Sequence, residues 1–452
     1  MIIDDVLARY YPKIQDALQA LFDPARDTGG RAEFHPGFRL PELTPAVREF
    51  LSVAELGYSE LPSYGTAALS LLDLTRNCGT QTTKTLASLV MVARAVEFIR
   101  TTGQRVTIVT PSSANKAVAL RDAVLRAITS GLVTASELNI VVLVPASSAH
   151  KLRCSTLLTD PELSRRNPIV LCAGSDPEIV KTIARDTVTR YRDTVEAASG
   201  TNLWYSLQIE NYLAGDVVRA FAEAEFFPPK PDRPRLHVHA VSSAYGLLGH
   251  AYGRELLGDQ ASDPASRYFL VQHLGAPDMV LGLLANASGE AAGRPNYIYA
   301  PDSGCYVQSE NPHFPAVTYD PFEVLDRTFY TRQPATTPRM SSLIESQGGG
   351  GIVVSFAECM ERFGQARALI EAADIPVPAN PSAILEWSLV MAVTGALNAV
   401  DRGLASEEDI LVHGAGLYSR GDFDAVTSRD CRTVADSGSL RDVLIGARGA
   451  TA

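Results

Sequence analysis

A lysine with the potential for nucleophilic chemistry lies in the segment NCGTQTTKTLA (77–87). The pattern predicts an apolar strand just before this segment, at 68–74, and an amphipathic helix at 85–100. Lys84 therefore stands at the start of the helix, which is the positive end of the helix dipole. That field would lower the pKa of the amine if the side chain were buried, and a neutral amine can act as a nucleophile. Lysines at helix starts are also common on solvated surfaces, so this segment alone leaves both interpretations open.

Two further loops of small polar residues follow predicted strands. The first, TPSSANKA (110–117), offers Ser112, Ser113 and Asn115 where a strand leads into a helix, and the second is SSAYGLLG (242–249). Backbone N–H groups at such a helix start can bind a carboxylate or a phosphate. Serine and asparagine are equally favoured as plain helix caps. Neither loop has the GxGxxG pattern or the lysine-bearing phosphate loop of nucleotide hydrolases.

Histidine and cysteine side chains give weaker signals. His237, His239 and His250 invite a metal interpretation, and the first two would share one face of a strand. Their spacing is not that of zinc sites, so we predict no metal. Cys78 and Cys172 lie near strand ends and could be nucleophiles, although cysteine is more often an inert part of the core. The six cysteines have no paired spacing, which favours reduced thiols over a disulfide framework.

Length and composition are those of a large globular protein. The 452 residues suffice for two or three domains, or for one large α/β body with a lobe. The net charge of −11 argues against a nucleic-acid binder, because phosphate binding needs a basic face. No apolar run approaches the roughly 20 residues that cross a bilayer, and the N-terminal segment does not resemble a signal peptide. We therefore predict a cytoplasmic protein without nucleic-acid or membrane partners.

Strands and helices alternate from residue 68 onward. The predicted strands lie at 68–74, 105–110, 138–145, 168–174, 234–241, 346–356 and 409–414, and the predicted helices at 85–100, 115–130, from about 148, 176–195, 357–374 and 382–403. Such alternation predicts parallel βαβ units that are buried on both faces. Ligands of these sheets bind at the carboxyl ends of the strands, where the candidate loops lie. Residues 255–345 have a less regular pattern.

The two ends of the chain differ from this pattern, with a helix predicted at 1–25 and a surface appendage at the C-terminus. We divide the chain into an N-terminal extension (1–66), a first, small α/β lobe region with Lys84 and the 110–117 loop (67–235), a large α/β lobe with the 242–249 loop (236–425) and a C-terminal tail (426–452).

The order of these motifs resembles that of the pyridoxal-phosphate (PLP) enzymes of the tryptophan synthase β fold, or fold type II, and most closely their threonine-synthase-like branch. The segment 77–87 resembles the family's Asn-Pro-Thr-Gly-Ser-Phe-Lys-Asp-Arg, and SSANKA (112–117) resembles its Ser-Gly-Asn-Thr-Gly loop. ANPSAILEW (379–387) and VHGAGLYSRGDF (412–423) resemble its Glu-Pro-Ser-Ser-Ala region and its closing Thr-Gly-His-Gly-Leu-Lys-Asp. The resemblance implies an α/β, two-lobed open parallel-sheet fold with an N-terminal helical extension.

The resemblance also implies a role for each matching residue. Lys84 falls on the lysine that forms the internal aldimine with PLP, and Asn115 on the residue that bonds the cofactor's 3′-oxygen. The cofactor phosphate is implied at Ser242, Ser243, Ala244, Tyr245 and Gly246, the pyridine nitrogen near His413, and the substrate at Ser112, Ser113 and Lys116. We therefore expect a homodimeric PLP-dependent lyase or β/γ-replacement enzyme that acts on a small-molecule amino-acid substrate, in specialised metabolism.

Several residues depart from the family pattern. Ala114 and Ala117 replace glycines, and His413 replaces a threonine or serine. Lys116 replaces a small hydroxyl residue and could either meet an acidic substrate or point to solvent. The phosphate loop is poor in glycine. An alternative is therefore a PLP-free relative, either a transferase on an acyl or aminoacyl donor or a small-molecule binding protein, with Tyr245 filling the phosphate site.

Overall fold

The computed structural model describes residues 1–21, 34–174, 176–230, 233–258, 266–289, 291–329 and 331–447. Two compact units make up the chain. Unit 1 comprises Met1–Ile3, Glu55–Thr83 and Arg219–Gly421, and unit 2 comprises Asp4–Ala54, Lys84–Val218 and Asp422–Ala452. The last part of the helix predicted at 1–25 and the end of the C-terminal tail fall outside the described residues. Within those residues, none of the helices combines the length and the apolarity needed to span a membrane.

The elements are numbered in chain order. The strands are β1 (Ile2–Ile3), β2 (Leu56–Glu60), β3 (Ala68–Asp73), β4 (Arg105–Pro111), β5 (Leu138–Pro145), β6 (Ile169–Cys172), β7 (Thr201–Tyr205), β8 (Arg235–Ala240), β9 (Ser266–His273), β10 (Ile298–Ala300), β11 (Cys305–Val307), β12 (Val317–Thr318), β13 (Gly349–Val354), β14 (Ile384–Glu386), β15 (Asp409–Gly414), β16 (Tyr418–Ser419) and β17 (Arg432–Val434). The helices are α1 (Val6–Arg9), α2 (Tyr11–Ala20), α3 (Pro45–Leu51), α4 (Thr85–Thr102), α5 (Asn115–Thr129), α6 (Thr156–Thr159), α7 (Pro161–Arg166), α8 (Ile179–Arg190), α9 (Arg192–Ser199), α10 (Ile209–Asp216), α11 (Val218–Phe226), α12 (Tyr245–Leu257), α13 (Asp278–Ser288), α14 (Thr337–Gln347), α15 (Phe356–Glu361), α16 (Phe363–Glu371), α17 (Ser388–Asp401) and α18 (Ser437–Gly446).

Unit 1 is built on a mainly parallel sheet with the strand order β1-β2-β3-β15-β8-β9-β13 in the described residues. β15 lies between β3 and β8, and β9 lies between β8 and β13, all in parallel pairs. β1 and β2 form an antiparallel edge. α17 packs on β15, β8, β9 and β13, and its side chains are buried on every face from Ser388 to Ala399. This is the burial expected of a helix whose sequence is apolar all round.

Unit 2 has its own parallel sheet, with the strand order β17-β6-β5-β4-β7 in the described residues. Every residue of β5 is buried, as expected for a central strand of a parallel sheet that is covered on both faces. α4 packs against α5 and α10, and α8 packs on β4, β5 and β7. The predicted α/β class with open parallel sheets is therefore confirmed.

The structure corrects several expectations about single elements. β3 is expected to begin the same run as β4, but it pairs with β15 in unit 1, so the units differ from the expected contiguous lobes. β7 and β9 are missing from the predicted strands. The tail is no surface appendage: β17 extends the sheet of unit 2 beside β6, and α18 packs on α8 and α9. Sequence pattern reports local propensity, and these pairings depend on distant partners.

Helix boundaries also differ from the prediction, for local reasons. The helix expected from about residue 148 is replaced by a 3₁₀ turn at Ala146–Lys151 and the short helices α6 and α7. The helix expected at 382–403 begins only at Ser388, because Pro381 opens a 3₁₀ turn and β14 follows it. The irregular region contains a small antiparallel sheet of β10, β11 and β12.

Candidate active site

The three loops singled out by the sequence each follow the carboxyl end of a sheet strand. The loop after β3 leads to α4, and Lys84 is the residue directly before that helix. The loop after β4 leads to α5, and the loop after β8 leads to α12. Lys84 and the α5 loop belong to unit 2, whereas the α12 loop and His413 belong to unit 1.

Each of these loops contains a residue whose backbone has a positive φ, a conformation that residues other than glycine rarely adopt. Gln81 has a φ of 46°, Ala114 a φ of 137° and Ala244 a φ of 49°. Such conformations cost about 1–3 kcal/mol and cluster at functional sites. Among the described residues, the other non-glycine residues with positive φ are Asp5, Gln333 and Asp374. Half of this strained set therefore lies in the three candidate loops.

Ser112 caps the start of α5. Its buried hydroxyl accepts hydrogen bonds from the backbone N–H groups of Ala114, at 3.2 Å, and of Ala117, at 3.0 Å. The capping alternative therefore describes the local role of Ser112. Ser113 and Asn115, predicted at the substrate and the cofactor, are half-buried in the same loop.

Lys116 lies in the first turn of α5 and is only 8% exposed, which excludes the solvent-facing alternative. Its Nζ donates to the Ser206 hydroxyl at 3.2 Å, and that hydroxyl donates to Thr110 Oγ1 at 2.7 Å. Burial holds the pKa of Lys116 well below its usual range, and the charges of Lys181 and Lys84 lower it further. Lys84 itself is half-buried.

The α12 loop combines a left-handed turn with half-buried polar side chains. Ser242, Ser243 and Tyr245 are half-buried, and Ala244 is the left-handed residue before the helix. The carbonyl of Ser243 accepts a hydrogen bond from the Thr336 hydroxyl at 2.7 Å. The loop is therefore held by a contact with the segment that enters α14.

Arg219, which the sequence analysis did not select, lies against this loop. A Cβ atom added at Gly246 would stand 2.5 Å from Nη2 of Arg219, so the guanidinium packs on the bare backbone of the glycine. Arg219 comes from α11 and is 1% exposed. Its Nη1 is 3.4 Å from Nδ1 of His413. The α12 loop and His413, both predicted as cofactor-binding, are thus linked through a buried arginine.

Both ring nitrogens of His413 have protein partners. An arginine has only donors, so Nδ1 of His413 accepts from Arg219 and the ring proton lies on Nε2. Nε2 then donates to Nδ1 of His237 at 3.0 Å. His237 in turn carries its proton on Nε2, which faces Oε1 of Glu223 at 3.8 Å. Burial holds the pKa of His413 and of His237 well below the usual range, so both rings are neutral.

Glu223 is the buried anion at the far end of this chain of contacts. Oε2 accepts from Nε2 of His250 at 2.6 Å, and Oε1 accepts from Arg235 at 2.8 Å. Burial alone would raise the pKa of Glu223, but His237, His250 and Arg235 lower it overall. The hydroxyl of Tyr268 lies 3.0 Å from Nδ1 of His250, where the neutral ring accepts its proton.

Glu223, His237 and His250 lie close enough to hold a metal ion, since their ligand atoms are within 4.8 Å of one another. The hydrogen bonds oppose this use. Nε2 of His237 carries the proton as long as Nδ1 accepts from His413, and a ligand nitrogen must be bare. Arg235 also supplies a positive charge to the carboxylate. We therefore interpret the cluster as a hydrogen-bonded network.

A signal for this network exists in the sequence but is ambiguous. Arg219 and Glu223 are four residues apart in α11, whose other charged residue is Glu225, and this spacing puts two side chains on one helix face. The same spacing is common in solvated helices. Only the pairing of β8 with β15, which brings His237 near His413, shows that this face is buried.

Comparison with solved structures finds several enzymes. A threonine synthase from Brucella melitensis, solved with PLP bound, aligns over 97% of this chain and 89% of its own, with 10% identity and a TM-score of 0.49. A hydrogen sulfide-producing enzyme from Fusobacterium nucleatum aligns over 84% and 99%, with 11% identity and a TM-score of 0.48. Serine racemase from maize aligns over 80% and 91%, with 15% identity and a TM-score of 0.45.

All three TM-scores are below 0.5, and the fold class follows from the parallel strand order of the two sheets. No curated protein matches the sequence. A sequence model for a family of unknown function, DUF6002, matches residues 2–448, and the chain therefore belongs to that family.

Proposed function

We propose that the chain is a PLP-dependent enzyme that acts on an amino acid, with Lys84 as the lysine that binds the cofactor's aldehyde. The backbone of the candidate loops carries this proposal. Ala114 stands where the resemblance expects glycine, and Ala244 lies in a loop expected to be rich in glycine, yet both have positive φ. The loops therefore keep glycine-like turns despite the substitutions, and such strain persists where it has a use.

The α12 loop suits a phosphate chemically. The start of a 13-residue helix presents backbone N–H groups, which favour an anion. The hydroxyls of Ser242 and Ser243 are half-buried beside it, and the guanidinium of Arg219 packs against Gly246. Arginine forms strong, charge-assisted hydrogen bonds with phosphate oxygens. The donors present in this loop thus fit the phosphate group of PLP.

PLP, when bound, supplies an electron sink for the α-carbon of an amino acid. The chain supplies the proton transfer and the orientation. Nζ of Lys84 is the base that we assign to the α-proton. The resemblance assigns Asn115 to the cofactor's 3′-oxygen and Ser113 to the substrate carboxylate, and both residues are half-buried at the start of α5.

We assign His413 an indirect role. The resemblance places it near the pyridine nitrogen, but its two ring nitrogens already contact Arg219 and His237. His413 is therefore a positioning residue for Arg219 in this proposal. The resemblance implies a neutral partner for the pyridine nitrogen of PLP, which favours loss or replacement of a β or γ substituent, so we assign the chain to the lyases or replacement enzymes.

The visible absorption spectrum of the purified protein with added PLP tests this proposal. We expect a violet-edge band that the Lys84→Ala variant lacks. Reduction with borohydride and peptide mass spectrometry should then find the cofactor on Lys84. The Lys13→Ala variant, which removes an exposed lysine of α2, is the control and should keep the band. A colourless wild-type protein, or a band that survives in Lys84→Ala, would contradict the proposal and favour the PLP-free alternative.

A further inference from the structure

Lys116 is a buried amine without an acidic partner. The side chain is 8% exposed, and the described residues contain no carboxylate in an ion pair with it. Its hydrogen bond runs to a neutral group, the Ser206 hydroxyl. Buried charges in proteins are normally paired, and an unpaired buried amine loses its proton instead. Burial without a carboxylate partner therefore disfavours the protonated form of Lys116.

The contacts of Lys116 leave the lone pair of its nitrogen available. The single hydroxyl proton of Ser206 is directed to Thr110 Oγ1. Nζ must therefore donate to Ser206, because Ser206 has no proton to give it. Thr110 belongs to β4, and Ser206 follows β7, the parallel neighbour of β4. Lys116 is thus anchored at the carboxyl edge of the unit 2 sheet, where parallel sheets bind ligands.

The charges around Lys116 favour an anion. Lys84, at the start of α4, and Lys181, from α8, are the charged groups that act on its amine. Lys181 shares its charge with Glu178, at 2.8 Å, and the start of α5 adds the positive end of a helix dipole. An anionic group placed here would be stabilised by the positive end of the α5 dipole. It would also stabilise the protonated form of Lys116.

We propose that Lys116 takes up a proton when an acidic ligand binds, and that its ammonium group then pairs with a carboxylate of that ligand. One N–H bond forms with a proton from solvent, and no bond of the ligand breaks. Since Ser113 is assigned to the α-carboxylate, Lys116 recognises a second one. The substrate class is therefore an amino acid with an acidic side chain, an assignment that rests on the proposed function.

Calorimetric titration tests this inference. L-Aspartate and L-glutamate are titrated into the protein at one pH in two buffers of different ionisation enthalpy, beside L-asparagine and L-glutamine. We expect the acidic amino acids to bind about 10- to 100-fold more tightly than their amides, because a charged hydrogen bond is gained. The heat difference between buffers should show uptake of about one proton per site.

Variants separate Lys116 from other amines. Lys116→Met should lose both the proton uptake and the preference for the acidic amino acids, and the exposed Lys13→Met should keep both. Lys116→Gln, which can still donate to Ser206, should behave like Lys116→Met and serves if the methionine variant fails to fold. Equal affinity for acids and amides in the wild type, or binding without proton uptake, would overturn the inference.

The absorption band of PLP distinguishes the two proposals. A wild-type protein that forms the Lys84-dependent band but does not prefer acidic amino acids would refute the role of Lys116 and leave the proposed function intact. A protein without the band that still takes up a proton with L-aspartate, and loses this in Lys116→Met, would refute the proposed function. Lys116 would then be a carboxylate-binding residue of a PLP-free protein.

Discussion

The guanidinium group of Arg219 rests on the backbone of Gly246 in the first turn of α12. A Cβ atom at this glycine would stand 2.5 Å from Nη2 and 2.8 Å from the central carbon of the guanidinium. The arginine is buried and also contacts His413. It therefore has little room to move, and the glycine is required by close approach rather than by an unusual φ.

A Gly246→Ala substitution should for this reason destabilise the protein by about 1–3 kcal/mol, the usual cost of overpacking. It should also weaken PLP binding, because the added methyl group would displace Arg219 from the α12 loop. Urea unfolding and a PLP titration followed by absorbance measure the two effects. Gly364→Ala in α16 is the control: nothing lies within 4 Å of its added Cβ, so we expect a gain of about 0.4–1 kcal/mol. Unchanged stability and PLP affinity in Gly246→Ala would contradict the contact.

The strain at Ala114 should be measurable as stability. Ala114 has a φ of 137°, which glycine adopts at much lower cost. Ala114→Gly should therefore raise the free energy of unfolding by about 1 kcal/mol, as part of a strain of about 1–3 kcal/mol is relieved. Ala197→Gly, at an exposed position of α9, should lower it by about 1 kcal/mol. If Ala114→Gly lowered the free energy of unfolding as much as Ala197→Gly does, the α5 loop would be unstrained.

The stability of unit 1 should fall in acid because of His273. Nδ1 of this ring accepts from Gly275 N–H at 3.0 Å, and Nε2 donates to the Phe329 carbonyl at 3.2 Å. Burial lowers its pKa from 6.5 to about 4. The unfolded chain binds a proton as the pH falls below 6.5, whereas the folded chain does not. About 3 kcal/mol of stability should therefore be lost between pH 6.5 and pH 4.

Urea unfolding across this pH range measures that loss. His273→Asn keeps an acceptor for Gly275 but cannot titrate. Between pH 6.5 and pH 4, this variant should lose about 3 kcal/mol less free energy of unfolding than the wild type. His150→Asn, at an exposed position, should keep the wild-type dependence. If His273→Asn and the wild type lose the same stability between pH 6.5 and pH 4, the ring is not held neutral.

The C-terminal helix should contribute to the core of unit 2. Leu440 in α18 is 0% exposed, and removal of a buried leucine side chain costs about 2–5 kcal/mol. Leu440→Ala should therefore destabilise the protein by this amount in thermal or urea unfolding. Leu256→Ala, where the leucine is 40% exposed, should change stability by about 0.5 kcal/mol or less. If both variants changed stability by a similarly small amount, α18 would not contribute to the core of unit 2.

The candidate loops could be predicted from the sequence because each depends on a local pattern. An apolar strand, small polar residues and a helical period follow one another within about 20 residues around Lys84, Ser112 and Ser242. β5 is predicted for the same reason, since a strand buried on both faces is a nearly continuous apolar run. β4, β8 and β15 are predicted from shorter clusters of apolar and β-branched residues. Local order of this kind determined the α/β class before any contact was known.

The burial of Lys116 could not be predicted in the same way. Its position in the first turn of α5 is compatible with a solvated or an inward side chain. Whether the side chain is buried depends on Ser206, which is 90 positions away. Ser206 follows β7, a strand that is missing from the predicted ones. A helix start has no fixed inner face until its sheet neighbour is known.

The sequence by itself determined the class of fold, the three loops at strand ends and the lysine that opens α4. The tertiary structure alone decided which strands are neighbours, and hence that His413 meets His237 across 176 positions and Arg219 across 194. The physical reason is that an apolar run favours burial of a strand but does not specify its neighbouring strand. Hydrogen bonds between side chains, by contrast, require one particular pairing and register.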